Sequence, residues 1–528
     1  MEFKLGLRVD RRIRTSRTVL VNKLPTQERA LIGGLKGIFQ GELPSRGVLV
    51  RLGIASSIAI LLGSLAPDSP FTSKIPGSWA LGIPSGFASL NFLSGAPGQI
   101  LFYLGFALGI LVWFELVRSV RENLYTTRDL VRFALYWFSP LLLAGPLYSK
   151  DVYSYAAIGE MVSRHISPYL YGPNILGATP YLNPVDPIWG NAPAPYGPIF
   201  LWFSGVLASI SGHDPFVTML MLRVFTIATV VILAIIAMRL ASAKGRDPNL
   251  ALVLVGLNPL IVFHLASSAH NDAYMVVLLG AGLLAFYRKR PILAVVLMSL
   301  GAAIKIPAIL GVAFVAWSAV PGNDIPKKIK PAAFYGAISI ATLGMASLVT
   351  GLGWGWIHNL GTPGLVRSPA VPTTAMAAWS DRLTSLLGLS LGFSGWLTVY
   401  RALGFLLAGL VGLYFLFNTE RFGIEKALGY SLLALVLFGP VIQPWYIAWG
   451  LVLVATNPTP RAMNGVVAVS VFGMLLGLPD GPSVVSWTVY VMMVLGLVVY
   501  AGDRLGWKVA QETLQRATVS VERFSHSS

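Results

Sequence analysis

Cysteine is absent from the 528-residue chain, which excludes a disulfide framework, a thiolate metal site and a cysteine nucleophile. Charge is scarce as well: Asp, Glu, Lys and Arg make up 12% of the residues, against roughly 25% in an ordinary soluble domain. Acids are the rarer sign, 22 against 39 Lys and Arg, for a net charge of +17. What fills the chain instead is apolar, 55% of residues with a mean hydropathy of +0.69. One soluble core cannot bury that much, and the class it points to is an all-α polytopic membrane protein. The basic excess does not call for nucleic acid. Lys and Arg sit in short clusters between apolar runs, which is how cytoplasmic loops are marked, so the partner they imply is the lipid bilayer.

Apolar runs near the roughly 20 residues that a bilayer core demands of a helix recur at 48–66, 98–117, 130–147, 216–238, 249–267, 272–287, 291–304, 307–320, 332–353, 397–417, 427–440, 444–456, 463–478 and 484–502. They predict about 13–14 transmembrane helices over residues 48–502, several of them tilted or broken because the runs are short. Residues 1–47, with ten Lys or Arg and no apolar core of the signal-peptide kind, are expected to be a cytoplasmic tail, and 503–528 a second one. The positive-inside rule places the basic clusters at 118–128, 239–246, 288–290, 327–330, 421–426 and 461 in the cytoplasm. The segments 67–97, 148–196, 268–271, 354–396, 441–443 and 479–483 are then external, on a plasma-membrane protein with both termini inside. This assignment permits only an odd number of crossings between 196 and 239, so the apolar run 198–211 is expected to dip into the membrane without crossing. No internal repeat is visible, although a transporter of inverted halves would be expected to carry one.

Residues 147–200 interrupt this pattern with a polar stretch rich in Tyr and Pro that carries the acids Asp151, Glu160 and Asp186. On a helical wheel of 151–166, Val152, Tyr155, Ala156, Gly159, Val162 and Ile166 share one face, and Tyr153, Glu160 and Arg164 the other, which predicts a helix lying flat on the membrane. The proline-rich segment from Pro168 to Pro198 cannot continue it and should form an extended cover. Asp151 follows the third apolar run and stands at the first turn of that helix. It reads equally as a cap and as an ionised carboxylate able to act as a general base. Glu160 and Arg164, four apart, most simply form a surface ion pair.

A second polar cluster, Ser267-Ser268-Ala269-His270-Asn271-Asp272, falls between two apolar runs. It is either an interhelical turn with a cap or a set of polar groups facing a cavity. Its side chains do not argue for a bound metal, and no cofactor is called for. Lys305 is a cation with no acid beside it in sequence, read as snorkelling or as pairing with a lipid phosphate. Arg367 invites the same two readings. Gln443-Pro444-Trp445-Tyr446 marks a helix break where aromatic residues commonly sit at the interface.

Taken together, Ser149-Lys150-Asp151-Val152-Tyr153-Ser154-Tyr155, Ser167-Pro168-Tyr169, Pro195-Tyr196-Gly197-Pro198, Asn258-Pro259-Leu260 and Ala269-His270-Asn271-Asp272 resemble the actinobacterial polyprenyl-phosphomannose-dependent α-1,6-mannosyltransferases of the GT-C superfamily, most closely over 147–290. The resemblance implies a GT-C-like fold, a polyprenyl-phosphate mannose donor and a membrane-anchored mannoside acceptor elongated toward a lipomannan core. It also implies reaction on the outer face, with an acid of the first large external loop, here Asp151, as catalytic base. Attack of the acceptor's 6-hydroxyl on a β-linked mannosyl phosphate would invert the anomeric centre. Lys150, His270, Asn271, Asp272, Lys305 and Arg367 are then candidates for the donor's phosphate and sugar. Tyr153, Tyr155, Glu160, Tyr196 and Trp445 are candidates for acceptor contact, with interfacial anchoring as the competing role of the aromatics. A lipid-linked sugar carrier, or a sibling enzyme using another polyprenyl-linked sugar such as arabinofuranose, stays open on the same residues.

Overall fold

The computed structural model describes residues 41–66, 92–368, 371–389 and 391–476, together with Gly37, Ile38 and Ser69. Most of the two expected tails and of the 67–97 loop, the loop 479–483 and the run 484–502 lie outside the described residues. Regular structure among the described residues is entirely helical. Helices of eight residues or more are α1 (Arg46–Leu65), α2 (Ala96–Arg121), α3 (Thr127–Phe138), α4 (Asp151–Ser163), α5 (Pro198–Ile210), α6 (Pro215–Ala243), α7 (Pro248–Val255), α8 (Asp272–Tyr287), α9 (Pro291–Ala302), α10 (Ile309–Ser318), α11 (Ile325–Thr350), α12 (Pro372–Leu386), α13 (Gly392–Phe417), α14 (Ile424–Phe438), α15 (Pro444–Ala455) and α16 (Pro460–Leu476). Proline stands in the first turn of α2, α5, α6, α7, α9, α11, α12 and α15, where its missing N–H costs no hydrogen bond and its fixed φ suits the helix.

Five of these, α1, α2, α6, α11 and α13, are long and apolar enough to cross a membrane, and six crossings result if α7 and the bent segment Pro259–Ser267 count as one span. Five further apolar helices have 10–17 residues. The runs read as crossings are therefore in part the short, broken helices expected. The run 130–147 is one such case: α3 stops at Phe138, a 3₁₀ turn covers Pro140–Leu143, and the chain reaches Tyr148 in irregular backbone.

The chain has two distinct ends. At one, the basic segments meet: Thr127 donates to Asn249 at 2.7 Å, Arg246 to Asn457 at 3.1 Å, Lys244 lies 3.8 Å from Glu425, and Lys328 donates to the carbonyls of Trp317 and Val320. At the other, Leu147, Tyr196, Ser268, Lys305 and Trp445 converge. α9 climbs from the basic end to Lys305 and α10 returns. Twelve residues rise only about 18 Å, short of the roughly 30 Å hydrocarbon core, so Lys305 stands at the apex of a hairpin too short to span a bilayer and not at the end of a full span.

Helices α4 and α5 both start at the Lys305 end and run in the same direction, with Gly159 on Ser204 and Val162 on Gly205. A Cβ on Gly159 would lie 2.5 Å from the Ser204 carbonyl, the close approach that small residues permit. Helix α5 ends beside Glu160, so, as expected, 198–211 does not cross to the basic end. The flat, two-faced helix expected at 151–166 is not what forms. Residues 152–161 of α4 are all buried, because α5 packs on the Tyr155, Gly159 and Val162 face, while His213 of the α5–α6 turn takes the Glu160 side assigned to water. The second long loop does supply a helix of the expected interfacial kind: α12 exposes Met376, Trp379, Leu383 and Leu386 in one row.

Candidate active site

The first turn of α4 and the start of α15 border a pocket lined by Asp151, Trp189, Tyr196, Gln443, Trp445 and Tyr446 and, on the lid side, by 192–195, Thr362, Pro363 and Val366; His270 of the turn 268–272 lies behind this lining, against Asp151 and Trp445. The pocket holds about 540 Å³ of space including its mouth. The lid is a cover of two loops: Thr362 donates to the Pro193 carbonyl at 3.2 Å, Asn359 to Tyr169 at 3.0 Å, and Gly197 N–H to Ile304 at 3.0 Å. Gly355 packs so closely on the Tyr169 side chain that a Cβ there would lie 2.6 Å from the Tyr169 Cβ and 2.8 Å from its ring.

Asp151 is the acid that lines this pocket. It is the first residue of α4 and not its cap. Lys150 holds that position, exposed and without a capping bond, while the Asp151 N–H donates to Ser149 Oγ at 3.1 Å. The carboxylate stands at the positive end of the helix dipole. Its Oδ2 lies 3.5 Å from His270 Nε2, which is also 3.1 Å from Ser149 Oγ. The other ring nitrogen, Nδ1, faces the carbonyl of His264. A carbonyl only accepts, so Nδ1 carries its hydrogen. Nε2 is then an acceptor for Ser149 in the neutral ring, or a cationic donor toward Asp151 once protonated. Trp445 stacks flat on the imidazole, centroids 3.8 Å apart at 17°, and fixes its plane.

Asp272, by contrast, is fully spoken for. Lys305 Nζ lies 2.9 Å from both its oxygens, and Trp449 Nε1 donates to Oδ1. The ammonium sits 4.3 Å from the Tyr446 ring centroid, 5.4 Å from that of Trp449 and 5.8 Å from that of Tyr196, an arrangement of aromatic faces that favours a cation. Lys305 is thus no lone cation: its acid is 33 residues away in sequence. Asn271 is buried, with Oδ1 3.5 Å from the Tyr155 hydroxyl and Nδ2 without a partner. Tyr155 and Tyr196 meet edge to face at 5.4 Å. Burial first, and the Asp151 charge second, hold the Tyr196 phenol well above its usual range, so it remains a neutral hydroxyl.

Three residues expected at the site are not brought to it. Tyr153 points away into the core, its hydroxyl buried without a partner. Glu160 lies nine residues along α4, about 13 Å by helical rise, bound by Arg164 at 2.6 Å and His213 at 2.8 Å. Lys150 is exposed at the helix start. Arg367 stands at the lid's edge beside Val366, 5.7 Å over Phe393. Ser149, Trp189, Gln443, Tyr446 and Trp449 are site residues that sequence reasoning missed as such, although Trp445 and Trp449, four apart, share one helix face. Among the described residues no group of three or more His, Asp or Glu is arranged to hold a metal ion.

Short and broken apolar helices around an aromatic-walled pocket that Asp151 lines define, among the described residues, a multispanning membrane protein with a candidate active site. Family profiles narrow that class: the one described as alpha-(1→6)-mannopyranosyltransferase, N-terminal domain, matches residues 50–321, and the MptB C-terminal domain matches 373–502. The chain belongs to the α-(1→6)-mannopyranosyltransferase family. It is 29% identical over 485 residues to alpha-(1→6)-mannopyranosyltransferase A of Mycobacterium tuberculosis, covering 88% of this chain and 91% of that one. The corresponding A enzyme of Corynebacterium glutamicum is 28% identical, covering 70% and 82% of the two chains, and the B enzyme of the same organism 27%, covering 71% and 65%. No solved structure matches the chain.

Proposed function

We propose that this enzyme is an inverting α-1,6-mannosyltransferase that transfers mannose from polyprenyl-phosphate mannose to a membrane-anchored mannoside, elongating the mannan core of lipomannan or a related lipoglycan on the outer face of the plasma membrane. The observation that carries the reading is the contrast between Asp151, open to the pocket at a helix N-terminus, and Asp272, neutralised by Lys305 and Trp449. One free carboxylate is what an inverting transfer needs. The acceptor's 6-hydroxyl oxygen attacks C1 of the donor sugar, Asp151 takes the hydroxyl proton, and the C1–O bond breaks with its electron pair leaving on the polyprenyl phosphate. His270 is a positioning residue that acts through Ser149, whose hydroxyl meets its Nε2 and accepts the Asp151 N–H. Trp445, Tyr446 and Tyr196 offer faces for the apolar sides of sugar rings.

Two further features support a lipid-borne donor. An apolar groove runs between α5, α9 and α11, lined by Ile199, Trp202, Leu300, Met345 and Val349. It begins beside the site, where Ile199 N–H donates to the Ala303 carbonyl at 3.1 Å. The basic end opposite the site, cytoplasmic by the positive-inside rule, argues for a pocket facing the outer side. The test is reconstitution of the purified chain with labelled polyprenyl-phosphate mannose and an α-1,6-mannoside. Mannose transfer that Asp151→Asn abolishes is the expected result; transfer unaffected by Asp151→Asn removes Asp151 as base, and movement of donor across the bilayer without transfer replaces the enzyme reading by a carrier.

A further inference from the structure

Helix α13 is a membrane-spanning candidate with a single charged residue, Arg401. An arginine at such a position is expensive and ordinarily has a partner, yet among the described residues no carboxylate lies within ion-pair distance of it. Its Nη2 donates to the Gly364 carbonyl at 2.8 Å, while its Nε is buried with no hydrogen-bond partner. Gly364 belongs to the lid strip whose neighbours Thr362, Pro363 and Val366 line the pocket. A second guanidinium, Arg367, follows three residues later on that strip, likewise without a carboxylate, and close enough for the two charges to repel. One turn along α13 from Arg401, Gly404 packs against Thr373 in the first turn of α12, and the Thr374 hydroxyl beside it is buried without a partner. Two cations without carboxylate partners lie along the lid strip, and the unpartnered Arg401 N–H and, in the first turn of the adjoining helix, the unpartnered Thr374 hydroxyl are donors that an anion would satisfy.

We propose that Arg401, with Arg367 and the first turn of α12, forms a lipid-phosphate site at the pocket rim, placing the phosphate next to the sugar position and against the membrane. Planar, multiply donating guanidinium suits a phosphate better than an ammonium does, and an ion at this rim stabilises the charge that grows on a departing phosphate. The inference rests on the mannosyltransferase reading only for which lipid the phosphate belongs to.

The experiment measures binding of sugar-free polyprenyl phosphate to the purified full chain, beside donor KM and kcat in the transfer assay. Arg401→Gln, which keeps a donor for Gly364 but loses the charge, is expected to weaken polyprenyl phosphate binding roughly tenfold or more and to raise donor KM in step; Arg401→Lys should fall between. Arg367→Gln, on the lid strip and outside the helix core, repeats the test should Arg401→Gln fail to fold, with a smaller loss expected. Phosphatidylglycerol vesicles that compete as well as polyprenyl phosphate assign the site to bilayer headgroups, and vesicles that do not compete assign it to the donor. Unchanged polyprenyl phosphate binding in both Arg401→Gln and Arg367→Gln overturns the proposal and leaves the mannosyltransferase reading standing. Arg401-dependent binding without any mannose transfer has the opposite consequence.

Discussion

Helix α4 carries one acid at each end, and the two are held in opposite ways. Glu160 is fully buried, and its oxygens are taken up by Arg164, His213 and Ser163. Asp151 keeps 15% of its side chain exposed, toward the pocket, and its nearest cation is a histidine at 3.5 Å. A carboxylate saturated with donors is stabilised as an anion and has no lone pair to offer a substrate. One with an open face keeps acceptor positions for a substrate hydroxyl. Asp272 repeats the saturated case inside the site itself. The proposed chemistry therefore rests on which acid faces the pocket, and not on which acid is nearest the loops.

The contrast breaks most sharply at Asp151. Asp151→Asn keeps the shape and the Ser149 contact but removes the base, and kcat should fall about 10²–10⁴-fold with the melting temperature in detergent unchanged. A wild-type rate in that variant would make the two ends of α4 equivalent. Next in size is Asp272→Asn, which strands the Lys305 ammonium with 10% exposure. An uncompensated buried charge costs about 3–5 kcal/mol, read as a large drop in thermal midpoint, and replacing the pair together by Asp272→Leu and Lys305→Met should recover much of it. A smaller effect is expected at Gly159, which lies on α4 one residue from Glu160: the added methyl of Gly159→Ala meets backbone at Ser204, so α4 must shift against α5 at about 1–3 kcal/mol, detectable by the same melt.

Much of this is legible in the sequence, and the limits have identifiable causes. Composition and run lengths reveal an all-helical membrane protein with short helices, because burial of apolar surface and proline punctuation are local properties. Asp151 and His270 stand out because each is polar at the edge of an apolar run. The pairing of Lys305 with Asp272 and Trp449 is invisible, since the partners are far apart along the chain and only the hairpin apex at 303–305 brings them together. Glu160 reads as a site residue because it shares the expected helix with Asp151; that helix meets the pocket at its first turn, and nine residues of rise take Glu160 away from it. The wheel of that helix is two-faced in sequence, but α5 takes one face and His213 of the α5–α6 turn reaches the Glu160 side, which no periodicity within 151–166 can report. Arg401 escapes notice inside an apolar run, where a single cation suggests only snorkelling.

The finest test of the contrast is Glu160→Gln. The variant retains an oxygen that accepts from Arg164 or Ser163 and loses the charge that joins Arg164 to His213. Both cations are about half exposed, 49% and 50%, so solvent screens their attraction for the acid. Charge-assisted hydrogen bonds are worth about 1.5–3 kcal/mol each in the buried case, and exposed ion pairs about 0–1. The expected loss is accordingly near 1 kcal/mol, a shift of a few degrees in thermal midpoint. The kcat for mannose transfer should not move, because Glu160 reaches neither the pocket nor any residue that lines it by hydrogen bond. A fall in kcat of the size expected for Asp151→Asn, without a comparable fall in stability, would transfer the catalytic role to the far end of α4.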